Sequence, residues 1–144
     1  MFRRVLVPTD GSDVSIAAAN SAIAIAKMAA APLHAAYVVE PYPFTDIGFA
    51  RREGFDDYMA ASRRTAAQAF DRIVRAAEAK GVRCETLVVE HAQAAAGIIS
   101  AAESTGADLI VMGSHGRSGI AKVVLGSVAM KVVQLSSIPI MVIK

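Results

Sequence analysis

The pattern most suggestive of ligand binding lies late in the chain. Gly113 and Gly116 stand three apart, and after nine intervening residues come Gly126 and Ser127. The apolar run LIVM at 109–112 leads into this pattern, and an apolar stretch of helical period follows it. That is the signature of a strand emptying into a glycine-bearing loop that ends at the N-terminus of a helix. Glycine lets backbone approach a ligand where a Cβ would collide. A helix N-terminus offers unpaired N–H groups and partial positive charge to an anion. Phosphate is the anion such a loop suits, and amides around 113–116 and 126–128 can hold it without any lysine. The pattern is neither a Walker loop, since no Gly-Lys-Ser/Thr occurs, nor a dinucleotide G-x-G-x-x-G. One other loop has ligand-building residues, Pro8-Thr9-Asp10-Gly11 near the start.

These loops need a frame, and the hydrophobic periodicity supplies one. RRVLV at 3–7 reads as a buried strand closed by Pro8. Ser12 is a suitable N-cap, with Asp13 in the first turn, for a helix over 13–30 whose face is Ile16, Ala19, Ile23, Ala26 and Ala30. Pro32 bars its continuation. A strand over 33–39 follows, then a loop at 41–50 dense in turn-formers and aromatics. A long helix carries the stripe Phe55, Met59, Ser62, Ala66, Phe70, Ile73 and Ala77, with Arg63, Arg64, Arg72 and Arg75 off it. Gly81 ends it. The remaining segments read as a strand over 82–90, a helix over 92–104, a strand over 107–112, a helix over 127–135 and a strand over 138–143.

Strands alternating with helices predict an α/β fold, a Rossmann-like three-layer sandwich with a five-stranded parallel sheet. The loops after strands one and four can converge only if those strands are neighbours. That favours the order 3-2-1-4-5 over 2-1-3-4-5 and puts the ligand crevice between strands one and four. In that order the apolar strand 138–144 lies on a sheet edge, and an uncovered apolar edge invites symmetric self-pairing.

Composition narrows the function classes. The 144 residues are expected to form a single domain, 1–144, and a hydrophobic fraction of 54% against 19% charged argues against disorder. A net charge of +2, with the charges dispersed, gives no case for nucleic acid. The apolar stretch 14–39 is broken by Asn20, Lys27, Pro32 and His34, so no membrane span is expected. The one cysteine, Cys84, excludes an internal disulfide and fits a reducing cytoplasm. His34, His91 and Cys84 show no ligand spacing, so no metal site is predicted. No base with an orienting partner is evident, so no catalytic residue is assigned and at most slow hydrolysis is expected.

The sequence resembles the universal stress proteins of the nucleotide-binding kind, over essentially the whole chain. The likeness is carried by VLVPTDGSD, ADLIVMGSHGRSG, LGSVA and the terminal IPIMVIK. Gly113-Ser114-His115-Gly116, nine residues, then Gly126-Ser127 matches that family's G-x2-G-x9-G-[S/T] signature without a gap. The resemblance implies a homodimer, paired through strand 138–144, that binds ATP or a related adenine nucleotide, with any Mg2+ held by the phosphates, in stress adaptation. It implies that Pro8, Thr9 and Asp10 meet adenine and ribose, that Val38 contacts the base (Val39 if the register slips), and that Met112 and Gly113 line the sugar. Ser114, His115, Gly116, Arg117 and Ser118 would surround the phosphates, and Gly126, Ser127, Val128 and Ala129 would close the site. Ala129 departs from a hydroxyl residue common in relatives, which removes one phosphate hydrogen bond.

Several roles stay open at this level. Ser127 could cap the last helix or donate to phosphate, and Asp10 could serve a ligand or hold its own turn. His115 could donate to phosphate or do nothing chemical, and Arg117 and Lys122 could neutralise phosphate or be solvated. Two further functions compete with nucleotide-dependent regulation: a dimeric adaptor with an empty loop, and an adenine-nucleotide α-hydrolase. The latter resembles this architecture but carries Ser-Gly-Gly-x-Asp-Ser after strand one, where this chain reads Thr9-Asp10-Gly11-Ser12-Asp13.

Overall fold

The computed structural model describes residues 1–41, 50–116 and 125–144. Its elements run β1 (Val5–Pro8), α1 (Asp13–Ala29), β2 (Leu33–Val39), α2 (Ala50–Ala79), β3 (Cys84–Glu90), α3 (Ala94–Thr105), β4 (Leu109–Gly113), α4 (Ser127–Leu135) and β5 (Ile140–Ile143). The five strands form one parallel sheet in the order β3-β2-β1-β4-β5, as the convergence of the polar loops required.

Side chains alternate across a strand, so each central strand feeds two cores. Val5, Val7, Leu33, Ala35, Leu109 and Val111 pack beneath α1 and α2, with Ala22, Ile23 and Ile73. Leu6, Ala36, Ile110 and Met112 pack on the other face beneath α3 and α4, with Ile98, Ala101 and Val132. Helices on both faces make the three layers. The alanine-rich inner faces of α1 and α3 let these helices lie close to the sheet.

The starts of four strands come later than the hydrophobic pattern predicts, β1 at Val5 among them, and one device explains two of the others. Helices α1, α2 and α3 each end on a left-handed residue, Ala30, Gly81 and Gly106. The next N–H then reaches back five residues: Ala31 to Ala26, Val82 to Ala77 and Ala107 to Ala102, each at 2.9 Å. This is the Schellman closure, completed by a buried apolar residue just past the turn. Val82 and Ala107 are those residues, which is why their hydrophobicity belongs to a helix end and β3 and β4 begin at Cys84 and Leu109. β5 likewise begins at Ile140, after a turn in which Ser136 Oγ donates to Ile138 O at 2.8 Å. Ala30 is therefore an exposed cap and not part of the buried face of α1, and Ile16 is only partly buried.

Asp108 ties the start of β1 to β4. Its carboxylate accepts the Arg3 N–H at 3.0 and 2.9 Å and the Arg4 N–H at 3.0 Å, while its own N–H donates to Arg4 O. Partial burial works to raise its pKa, but these amides outweigh it and hold the carboxyl below its ordinary value.

Candidate functional site

Because β1 and β4 are hydrogen-bonded neighbours, their C-terminal ends open side by side and the polypeptide leaves them in opposite directions across the sheet. A cavity of about 430 Å³ lies there.

The β1–α1 turn forms one wall. Thr9 N–H donates to Ala36 O at 2.8 Å, which extends the β1–β2 ladder by one bond past Pro8. Gly11 adopts φ +82°, a conformation glycine reaches without strain. Asp10 Oδ1 accepts the Ser12 N–H at 2.9 Å, so the aspartate holds its own turn. Asp10 also lines the cavity, with Pro8 and Thr9. Ser12 caps α1, accepting the Ser15 N–H at 3.3 Å. Beneath this turn Thr9 and Ser15, both buried, bring their hydroxyl oxygens to 2.8 Å, and Ser15 Oγ donates to Ser12 O at 2.8 Å. Thr9 Oγ1 in turn accepts the Gly11 N–H at 3.1 Å. The loop is thus built on a buried chain of hydroxyls.

The glycine that ends β4 and those that follow it form the opposite wall. A Cβ on Gly113 would stand 2.7 Å from Val14 Cγ1 and 3.3 Å from Val14 backbone, so glycine here lets the first turn of α1 lie against β4. Ser114, fully buried, donates its N–H to Ile143 O at 2.7 Å and accepts the Gly126 N–H at 2.6 Å, which closes the loop at its neck. The Ser114 hydroxyl meets His115 Nδ1, and both residues line the cavity. A Cβ on Gly116 would lie 2.6 Å from Asp10 Oδ2, so the two walls meet at that point. A Cβ on Gly126 would crowd Ser114 O at 3.0 Å.

Helix α4 points its N-terminus at the cavity. Gly126, not Ser127, occupies the cap position, and no side chain caps the helix. The capping role open to Ser127 is therefore not realised; Ser127 is the first helical residue and stands on the cavity wall. Met130 N–H is bonded to Gly126 O at 3.0 Å, so the amides of Ser127, Val128 and Ala129 precede the intrahelical ladder. All three residues line the cavity.

The far end is apolar. Val38 on β2 reaches the cavity wall with Met112 from β4, while Val39 is buried and does not line it. Ala36, Ala94 and Ile98 complete this end and, with Ser15, are the lining residues that sequence reasoning missed. Ile98 and Ala36 read as ordinary core. Ser15 carried a usable signal, a hydroxyl on the apolar face of α1. Every site residue predicted above that lies among the described residues borders this one cavity; Arg117 and Ser118, and also Lys122, lie outside them.

The remaining candidates lie apart from it. None of His34, His91 and Cys84 lines the cavity. Burial lowers the pKa of His34 against the opposing pull of Glu85, 3.8 Å away, and favours neutral imidazole. Burial pushes the Cys84 thiol up to about 11, which leaves it protonated and inert. His91 Nδ1 accepts the Gln93 N–H at 3.0 Å, a turn contact before α3. Among the described residues no three His, Cys, Asp or Glu side chains come together as a metal would need, and no helix is long and apolar enough to cross a membrane.

An open, doubly wound α/β sheet with a glycine-walled crevice at its switch point defines the class: a fold that takes ligands at the carboxyl ends of its strands. Within that class the chain belongs to the universal stress protein family, whose model matches residues 1–144. It is 36% identical to universal stress protein MJ0531 of Methanocaldococcus jannaschii over 144 residues, 100% of this chain and 83% of that protein. Among solved structures, the universal stress protein UspA from Lactobacillus plantarum superposes with a TM-score of 0.87 at 26% identity, covering 99% of this chain and 97% of that one. A universal stress protein crystallised in complex with cAMP superposes with a TM-score of 0.70 at 28% identity, covering 99% and 97%.

Proposed function

We propose that this protein binds an adenine nucleotide, ATP or a relative, in the crevice between β1 and β4, and that it acts as a dimeric regulator in stress adaptation. The reading rests on one juxtaposition. The uncapped N-terminus of α4, with three amides ahead of its hydrogen-bond ladder, faces the same cavity as the apolar end built by Val38, Ile98 and Met112. Phosphate suits the first and a purine the second. Asp10, between them, faces the sugar. A cavity of about 430 Å³ is within the range that small ligands occupy. The cAMP complex of a relative supports the adenine moiety. Any Mg2+ would be carried by the phosphates.

Dimerisation through the β5 edge completes the proposal. β5 pairs with β4 on one side, and Met141 on it is 40% exposed. On α4, Met130, Val133 and Leu135 are also about half exposed, apolar surface of the kind that association covers. We take residues 1–144 as one domain working in the cytoplasm. The test is to denature purified protein and look for released adenine absorbance, then to titrate ATP into stripped protein. Nucleotide is expected in at least one experiment; its absence from both would leave the adaptor reading in its place.

A further inference from the structure

Helix α3 carries a glycine in its interior, Gly97, where glycine is a costly choice relative to alanine. Its φ is not in the left-handed region, so no backbone turn requires it. Space does. A Cβ at this position would stand 2.7 and 3.0 Å from the two γ-methyls of Val38 and 3.1 Å from His91 Cβ. Val38 is no flexible chain end that can swing aside, because a β-branched side chain is stiff at χ1. It also lines the apolar end of the cavity, opposite the uncapped helix.

We infer that Gly97 is a specificity-determining residue: by leaving room behind Val38 it sets the depth of the base slot and admits a two-ring base. Gly97 itself does not line the cavity and acts through Val38. Its neighbours Ala94 and Ile98, on either side of it along α3, do line the cavity, so the helix is seated against the slot at this glycine. An alanine at 97 would have to push the Val38 methyls toward the cavity or lift α3 away. The first move alters the base end and leaves the amides at the start of α4 where they are, whereas lifting α3, whose Ile98 and Ala101 pack with Ala129 and Val132 of α4, would disturb both ends alike. The inference rests on the nucleotide reading proposed above and extends it from the presence of a base to its size.

The test compares the full chain with Gly97→Ala, Val38→Ala and the double variant Gly97→Ala/Val38→Ala. Each competes ATP and CTP against a fluorescent ATP analogue, with thermal denaturation of the nucleotide-free proteins run alongside. Gly97→Ala is expected to lose at least tenfold in ATP affinity and to lose less for CTP, whose one-ring base needs a shallower slot. Removing the Val38 methyls in the double variant is expected to bring ATP affinity back to within threefold of that of Val38→Ala alone. ATP affinity unchanged in Gly97→Ala, or ATP and CTP weakened equally, overturns the inference. If Gly97→Ala does not fold, the double variant decides: recovery of both fold and ATP binding supports the inference, and failure of either overturns it. Absence of nucleotide binding by the unaltered protein is a different result, and it refutes the proposed function first.

Discussion

Replacing Ser15 by alanine tests whether the loop after β1 is held by its buried hydroxyls. The proton assignments follow from the geometry. Ser15 Oγ donates its single proton to Ser12 O at 2.8 Å, so in the 2.8 Å Thr9–Ser15 contact the donor must be Thr9. Thr9 Oγ1 already accepts the Gly11 N–H. In Ser15→Ala the Ser12 carbonyl keeps the Ile16 N–H at 3.0 Å and is not stranded. The Thr9 O–H loses its acceptor at a site only 6% exposed. Leaving such a group unsatisfied costs about 1–3 kcal/mol, so we expect a loss of about 2 kcal/mol. At about 2–4 °C per kcal/mol for a chain near this size, Tm should fall by roughly 4–8 °C. Urea denaturation of Ser15→Ala, Thr9→Val and the double variant makes the assay a cycle. Removing both hydroxyls abolishes the stranded donor, so the double variant should cost less than the two single losses added, by about 1 kcal/mol. Losses that add within about 0.3 kcal/mol, or a single loss below about 0.5 kcal/mol, would refute the hydroxyl chain.

Gly113 at the end of β4 and Gly116 beyond it should separate. Gly113→Ala meets Val14 side chain and backbone and should cost about 1–3 kcal/mol of stability by overpacking, whereas Gly116→Ala meets, among the described residues, the Oδ2 end of the Asp10 side chain and no backbone, and should cost less than Gly113→Ala, both read by urea denaturation. Asp108→Asn should be less stable than the parent at pH 7. Because the folded carboxyl titrates below its unfolded value, the stability it provides is present above about pH 4 and is lost as pH falls through the folded pKa, so the gap should narrow between pH 4 and pH 2. His34 has the same sign near neutrality: its folded pKa lies below the usual 6.5, so the unfolded chain takes up the proton first and stability falls as pH drops below that value. His34→Gln should flatten that slope between pH 7 and pH 5 in denaturation series.

Much of this molecule is legible in its residues alone, because local rules act over a few positions. The alternation of apolar runs marks strands and helices, Ser12 marks the start of α1, and Gly81 and Gly106 mark two helix ends. The spacing of Gly113, Gly116 and Gly126 marks the loop that walls the cavity, and the demand that two polar loops meet yields the sheet order. Most of what escaped depends on contacts between residues far apart in the chain; the helix closures are the local exception. Val82 and Ala107 are as apolar as strand residues, and only the backbone path shows them closing helices. Ser127 is a better capping side chain than Gly126, yet the hydrogen bond from Gly126 N–H to Ser114 O places the cap one residue earlier. Ala36, Ala94 and Ile98 lack chemistry of their own and join the cavity wall because β2 and α3 pass beside it. Gly97 carries no turn and no ligand group, and its reason for being glycine lies in Val38, fifty-nine residues earlier, across a helix–sheet interface. Periodicity and capping act within one turn or one strand and can be read from the chain, whereas the shape of a cavity is set where separate elements touch, and that depends on how closely they pack.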